Sequence, residues 1–274
     1  MVVWVFQREG GDGREAAGSQ PGSDRAVCRA LDQGFGAHRV ARRPYEPCAL
    51  GERGQVRRDE KVPRLNPLDP DYGATPVDDE DARALIPAAR EVLGEPLLMA
   101  SLYDLEQTIE ARAIADLLAQ VYAGTLSLLD ILDDHFLREL HARMFGDVWT
   151  WAGRFRTKDR NIGVPSEAIA VELRTSIETI RYRWEHTDDW GARELGMAVH
   201  AETVRIHPFV DGNGRATRRL ADLVFAAAQD DDEWLEYDWD IDKRAYIHML
   251  RRYDATRDSS ELAANVPVIP VAGE

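Results

Sequence analysis

His207-Pro208-Phe209-Val210-Asp211-Gly212-Asn213-Gly214-Arg215-Ala216-Thr217-Arg218 packs more chemistry into twelve residues than any other stretch of the chain. It joins two segments of helical apolar periodicity, about 190–206 and about 214–228. The first must stop before Pro208, because a residue preceding proline is pushed out of the α region. The second, starting at Asn213 or Gly214, turns free backbone N–H groups and the positive end of its dipole outward. Gly212 and Gly214 carry no Cβ, so those amides can approach phosphate oxygens closely. Arg215 and Arg218 lie three apart on one helix face and could clamp successive phosphates bidentately, which lysines do less well. Asp211 could hold Mg²⁺ through a carboxylate oxygen while phosphates and water fill the other positions. At the mouth of the same cradle, a neutral His207 imidazole could take the proton of an attacking hydroxyl. Phe209 points the other way, as an apolar peg.

Each part has an ordinary explanation when it stands alone. A histidine at a helix end is usually a cap, a Gly-Asn-Gly a turn, and two arginines at i, i+3 a solvated face. Their coincidence decides otherwise. Eight specified positions in twelve arise by chance at roughly one in 10¹⁰ per starting position.

The bulk properties of the 274 residues narrow the partners. A net charge of −15 disfavours nucleic acid or an anionic membrane as the main ligand. Two cysteines, Cys28 and Cys48, build neither a disulfide framework nor a metal site. Val2-Val3-Trp4-Val5-Phe6 is too short for a signal-peptide core, and no run approaches membrane-spanning length. A cytoplasmic protein is expected. Residues 1–60 hold nine of the 20 glycines without helical or strand period, and their ten arginines nearly balance nine acids. All the net acidity therefore lies in 61–274, with 24 basic and 40 acidic residues. Residues 1–72 are expected to be a poorly ordered extension. A second hypothesis is that part of this stretch precedes the true start, which mass spectrometry of the native N-terminus would test.

From about residue 76 the pattern is helical. Asp78-Asp79-Glu80-Asp81 opens a short helix that Pro87 interrupts. Leu102, Leu105, Ile109, Ala113, Leu117 and Val121 mark one over 101–122. Asp133 or Asp134 caps another carrying Phe136, Leu137, Leu140 and Met144. Pro165-Ser166-Glu167 starts a further helix, and 242–254 is the last. The only strand material lies between Phe155 and Val164, as a β-hairpin. The expectation is an all-α fold with one β excursion, divided into the extension 1–72, a helical region 73–129, a core 130–262 and a tail 263–274.

The 207–218 stretch resembles the signature of the Fic family, His-x-Phe-x-(Asp/Glu)-Gly-Asn-Gly-Arg-x-x-Arg, with every defined position filled. Phe145-Gly146-Asp147-Val148-Trp149-Thr150-Trp151-Ala152-Gly153-Arg154-Phe155-Arg156 resembles the stretch that precedes the family's flap, and Asn161-Ile162-Gly163-Val164-Pro165 the flap itself. Trp149 and Trp151 also read as plain core packing. The resemblance implies transfer of AMP from ATP to a Ser, Thr or Tyr hydroxyl of a target protein. It implies His207 as general base and Asp211 as Mg²⁺ ligand. Gly212, Asn213 and Gly214 would form the anion hole, with Arg215 and Arg218 on the β- and γ-phosphates. Asn161, Ile162, Gly163 and Val164 would align the target segment by strand addition. Lysine in place of Gly214 would suggest the Doc branch, which phosphorylates instead. The order from Thr75-Pro76 through Ile86-Pro87 into the core is similar to the subgroup called mobile mystery protein B, although that subgroup often carries Asn where this chain has Asp211.

Many members of that family carry an inhibitory (Ser/Thr)-x-x-x-Glu-(Gly/Asn) motif, and none occurs here. Glu106 and Glu110 lie on the helix where an internal brake could sit. The simpler expectation for both is a solvated face with local charge pairs. An inhibitory or antitoxin-like partner is the other expectation. His200 is expected to be packed, and Thr203, Arg205 and Arg219 to be structural. Two alternatives stay open: transfer of UMP or a phosphoryl group from the same site, or a silent nucleotide-binding toxin–antitoxin module.

Overall fold

The structure, a computed structural model, describes residues 75–230 and 234–271. The expected 1–72 extension lies outside them.

Chain polarity and capping account for the helix starts. Helix α1 (Asp79–Ala84) begins where the Asp78 carboxylate accepts the Glu80 and Asp81 N–H groups, at 2.9 and 2.8 Å. Pro87 does not merely interrupt: it occupies the first turn of α2 (Pro87–Leu93), where its missing N–H costs nothing. Then follow α3 (Met99–Tyr122), the short α4 (Leu128–Ile131) and α5 (Asp134–Phe145), with Asp133 as the cap of α5. A 3₁₀ turn at Ser166–Ala168 feeds α6 (Ile169–His186), followed by α7 (Ala192–Ile206) and α8 (Asn213–Ala228). The last elements are β1 (Leu235–Tyr237), α9 (Lys243–Thr256), α10 (Ser260–Asn265) and β2 (Val268–Pro270). The fold is mainly helical, as expected. No helix among the described residues is long and apolar enough to cross a membrane.

Two expectations need correction. The strands are not at 155–164, where the only ladder contact is an isolated bridge between Phe155 and Phe209. They are β1 and β2, paired antiparallel with Leu235 opposite Pro270 and Tyr237 opposite Val268. Within the expected tail 263–274, the described residues belong to the fold: α10 crosses the boundary at 263 and β2 closes the sheet.

Helices α7 and α8 are the spine. Their apolar faces serve two clusters. One is shared with α3, α5 and α6 through Leu117, Leu140, Met144, Leu173, Leu195 and Leu220. The other is shared with β1, α9 and α10 through Met197, Phe225, Tyr237, Met249 and Leu262. The connection 207–212 emerges where this spine ends, with rigid helices on both sides. Phe209 is fully buried. Burying a side chain of this size contributes about 1.5–3 kcal/mol.

Candidate active site

His207 terminates α7 in the left-handed region (φ 52°), rare for a residue with a side chain. Two hydrogen bonds and the next residue hold it there. Its N–H donates to the Thr203 carbonyl at 3.1 Å, its own carbonyl accepts Nε of Arg156 at 2.8 Å, and Pro208 follows. Burial, reinforced by the Arg156 guanidinium and Arg160 and opposed by Asp211, pushes the His207 pKa below the ordinary imidazole value. The ring is thereby kept in its neutral, proton-accepting form.

The turn itself is pinned from inside. The Phe209 N–H donates to Oδ1 of Asn213 at 2.8 Å, and Nδ2 of Asn213 returns a bond to the Phe209 carbonyl at 2.9 Å. The Asn213 side chain therefore staples the loop, and only its backbone amide is left for an anion. Gly212 sits at φ 72°, and a Cβ there would come within 2.7 Å of the Phe145 ring. Gly214 differs. Its Cβ would meet no atom within 4 Å, so packing within the chain gives no reason for glycine there. Gly212 offers no side-chain cap to α8, so the first N–H groups of that 16-residue helix remain available.

His207, Asp211, Gly212, Asn213, Gly214, Arg215 and Arg218 together line one open cavity of about 250 Å³. The Asp211 carboxylate is 71% exposed at its rim, 3.9 Å from Nη2 of Arg215. Its backbone is fixed by His141. Nδ1 of His141 accepts the Gly153 N–H at 2.9 Å, which leaves the ring proton on Nε2, 3.1 Å from the Asp211 carbonyl. This histidine is fully buried and stacks on Phe209 with centroids 3.7 Å apart, and burial pushes its pKa down to about 4. One exposed hard-oxygen ligand on a rigid backbone, beside an uncapped helix N-terminus, fits a magnesium ion carried in by phosphates. Nε of Arg218 donates to the Gly214 carbonyl at 3.1 Å, and its guanidinium stands 5.9 Å from the Trp239 ring.

The segment Asn161, Ile162, Gly163 and Val164 runs beside the base without forming strands. Its first three residues are exposed, and the Val164 N–H donates to the Ile206 carbonyl at 3.3 Å. Gly163 (φ 92°) passes so close that a Cβ would lie 2.7 Å from Cβ of His207. Arg156 replaces the expected hairpin ladder. Its buried guanidinium donates to the carbonyls of Lys158 (3.1 Å), Val164 and His207, so these carbonyls need no opposing strand.

The expectation of a solvated face for Glu106 and Glu110 is wrong. Both are buried, 3% and 8% exposed, and each meets an arginine of α8. Glu106 pairs with Arg215 at 2.7 Å and Glu110 with Arg219 at 3.0 Å. A helix face with acids one turn apart reads as solvated only while its partners, 109 residues away, are unknown. Trp149 is packed as expected, yet its Nε1 also donates to Glu106 at 2.5 Å. His200 is packed against Trp239 and bonded to Tyr246, with burial lowering its pKa to about 4. Arg205 belongs to a separate polar knot with Glu172 and Glu202. Thr203 is spent on the Val199 and His200 carbonyls. Sequence reasoning assigned no part to His141 or Arg156. Their signals were a histidine on the apolar stripe of α5 and the arginine closing the 145–156 stretch.

Residues 131–225 match the model of the Fic/DOC family. The chain is 25% identical over 148 residues to the protein adenylyltransferase VbhT of Bartonella schoenbuchensis, covering 50% of this chain and 27% of that protein. It is 32% identical over 104 residues to the protein adenylyltransferase fic-1 of Caenorhabditis elegans, covering 36% and 19%. The chain thus spans about a quarter or less of the length of these relatives. Among solved structures, the N-terminal Fic domain of a Bartonella quintana effector aligns with a TM-score of 0.48 and 18% identity, covering 62% of this chain and 83% of that one. BepC of Bartonella tribocorum with bound AMPPNP aligns at 0.46 and 18%, covering 62% and 88%. The stretch matched by the Fic/DOC family model, 131 to 225, contains the whole 207–218 loop.

Proposed function

We propose that this chain transfers AMP from ATP to a Ser, Thr or Tyr hydroxyl of a target protein. The observation that carries the reading is the convergence of His207, Asp211, the 212–215 turn and Arg218 on one cavity. Two arginines, the uncapped start of α8 and a glycine facing open space suit a triphosphate and little else of comparable size. Adenylyltransferase relatives support the choice of AMP as the transferred group.

In this scheme His207 takes the hydroxyl proton as the target oxygen attacks the α-phosphorus. The bond from that phosphorus to the bridging oxygen breaks, and pyrophosphate departs with its charge held by Arg215 and Arg218. The first amides of α8 face the non-bridging oxygens as negative charge builds there, which stabilises the transition state electrostatically. Asp211 would hold Mg²⁺, whose bound charge neutralises the polyphosphate. Asn161–Val164, exposed over its first three residues and next to the base, would take the target's main chain.

The test is parallel incubation with α- and γ-labelled ATP, using cell extract as acceptor. Protein-bound label from the α position alone is expected. Label from γ alone would replace the reading with phosphoryl transfer, and label from neither would leave UMP transfer or a binding module.

A further inference from the structure

Below the anion loop, α3 and α8 are joined by two ion pairs in register. Glu106 and Glu110 stand one turn apart on α3, and Arg215 and Arg219 one turn apart on α8. The two rungs differ in what lies beyond them. Arg219 turns to Asp222 at 3.3 Å, away from the cavity. Arg215 lines the cavity, lies 4.6 Å over the Phe145 ring, and reaches toward Asp211 with Nη2 while Nη1 is held by Glu106.

Glu106 uses both carboxylate oxygens. Oε1 accepts Nε1 of Trp149 at 2.5 Å and Oε2 accepts Nη1 of Arg215 at 2.7 Å. A carboxylate taken out of water is costly unless fully paired, and here it is paired on both sides. It does not line the cavity that Arg215 lines. It therefore grips the rear edge of the guanidinium and leaves the front edge facing the loop.

We infer that Glu106 is a positioning residue, braced by Trp149, that aims Arg215 at the phosphates, and not a brake that competes with them. This rests on the nucleotide reading above. The sign of its effect separates it from simple electrostatics. A carboxylate close to a triphosphate repels it, so loss of the charge alone would tighten binding. Loss of an aiming contact weakens binding, because the long arginine side chain must then be ordered by the ligand itself.

The experiment is calorimetric titration of the full chain with Mg-ATP. Gln at 106 keeps the shape, but its single amide oxygen cannot accept from both Trp149 and Arg215. Glu106→Gln is expected to weaken Mg-ATP binding about three- to tenfold. In an Arg215→Gln background the same change should alter affinity less than about twofold, because the residue it acts through is gone. Glu110→Gln, on the rung that does not reach the cavity, should leave affinity as in the wild type. Unchanged or tighter binding by Glu106→Gln overturns the inference, and so does an equal loss in the Arg215→Gln background. If Glu106→Gln fails to fold, Trp149→Phe removes the bracing donor together with part of the buried ring stacked on Trp151, and in the folded variant should weaken binding in the same direction. No shift in that variant is equally fatal. Wild-type chain that binds no Mg-ATP would remove the nucleotide reading and this inference together, whereas a wrong sign at Glu106 leaves that reading standing.

Discussion

The two halves of the 207–218 loop are held by opposite means. The base half is fixed through its backbone: a buried arginine, Arg156, satisfies the carbonyls of His207 and the neighbouring flap segment. The anion half is held by side chains, the Asn213–Phe209 staple and the Glu106–Arg215 pair, and leaves its backbone amides free. The difference follows from what each half must present. A base is useful when its imidazole is aimed and neutral, so the surrounding main chain can be fully bonded. An anion site needs unspent N–H groups, so the clamps have to be elsewhere. Perturbing one half should therefore leave the other's function measurable.

The largest separation is expected from His207→Ala. Transfer of α-label should fall by about 10²–10⁴-fold, the usual contribution of a positioned base. Mg-ATP affinity should stay within about twofold, since the amides and arginines that hold the nucleotide are untouched. Equal loss of binding and transfer in this variant would break the division into halves.

Arg156→Gln comes next. It removes the shared donor of three part-buried carbonyls, and the expected cost is about 1–3 kcal/mol in denaturant unfolding. Transfer should drop with it, because His207 and the 161–164 segment lose a common anchor. Arg156→Lys, able to donate to part of the same set, should recover some of both. Mg-ATP affinity measured below the unfolding transition should again be near that of the wild type.

The glycines sharpen the contrast on the anion side. Gly212→Ala forces a left-handed residue against Phe145 and should destabilise by about 1–3 kcal/mol. Gly214→Ala meets empty space in a helix and should leave stability the same or slightly higher, by up to about 1 kcal/mol. Its effect should appear only with ligand, as Mg-ATP binding weakened about tenfold by a methyl set where phosphate oxygens approach. Full affinity in Gly214→Ala would mean that the phosphates lie elsewhere.

What could be read in the sequence follows the range of the interactions. The helix starts at Asp78, Asp133 and Pro165, the stop before Pro208 and the inward peg at Phe209 are local, and each stands where the residues imply. The convergence of His207 through Arg218 was legible because one turn carries them all. Contacts across the fold were not. Glu106 and Glu110 look like a solvated face until α8 is laid against α3. Arg156 looks like any loop arginine until the carbonyls around it are counted. The β1–β2 pair joins three-residue strands more than thirty residues apart, too short for an alternating pattern to register. The hairpin expectation failed for a related reason: residues 155–164 bend, and are held by the Arg156 side chain and by backbone bonds to 206–209 in place of a ladder of their own.

The smallest effect concerns the pH dependence of transfer, and it tests how completely the base half is shielded. Burial is the main influence lowering the His207 pKa, with Arg156 and Arg160 acting in the same direction and Asp211 against them. A lowered value means that the neutral imidazole survives to more acidic pH than it would in free solution. At limiting Mg-ATP, where the rate reports the nucleotide-free protein, the acid limb should therefore have its midpoint below about 6.5, the unperturbed histidine value. In Arg156→Gln one repelling cation is gone while burial remains, so the midpoint should move up by a fraction of a unit and stay at or below that value. A wild-type midpoint above 6.5 would place Asp211 in command of the ring. The base half would then be governed electrostatically by the anion half, and the independence argued for the two would fail at its most sensitive point.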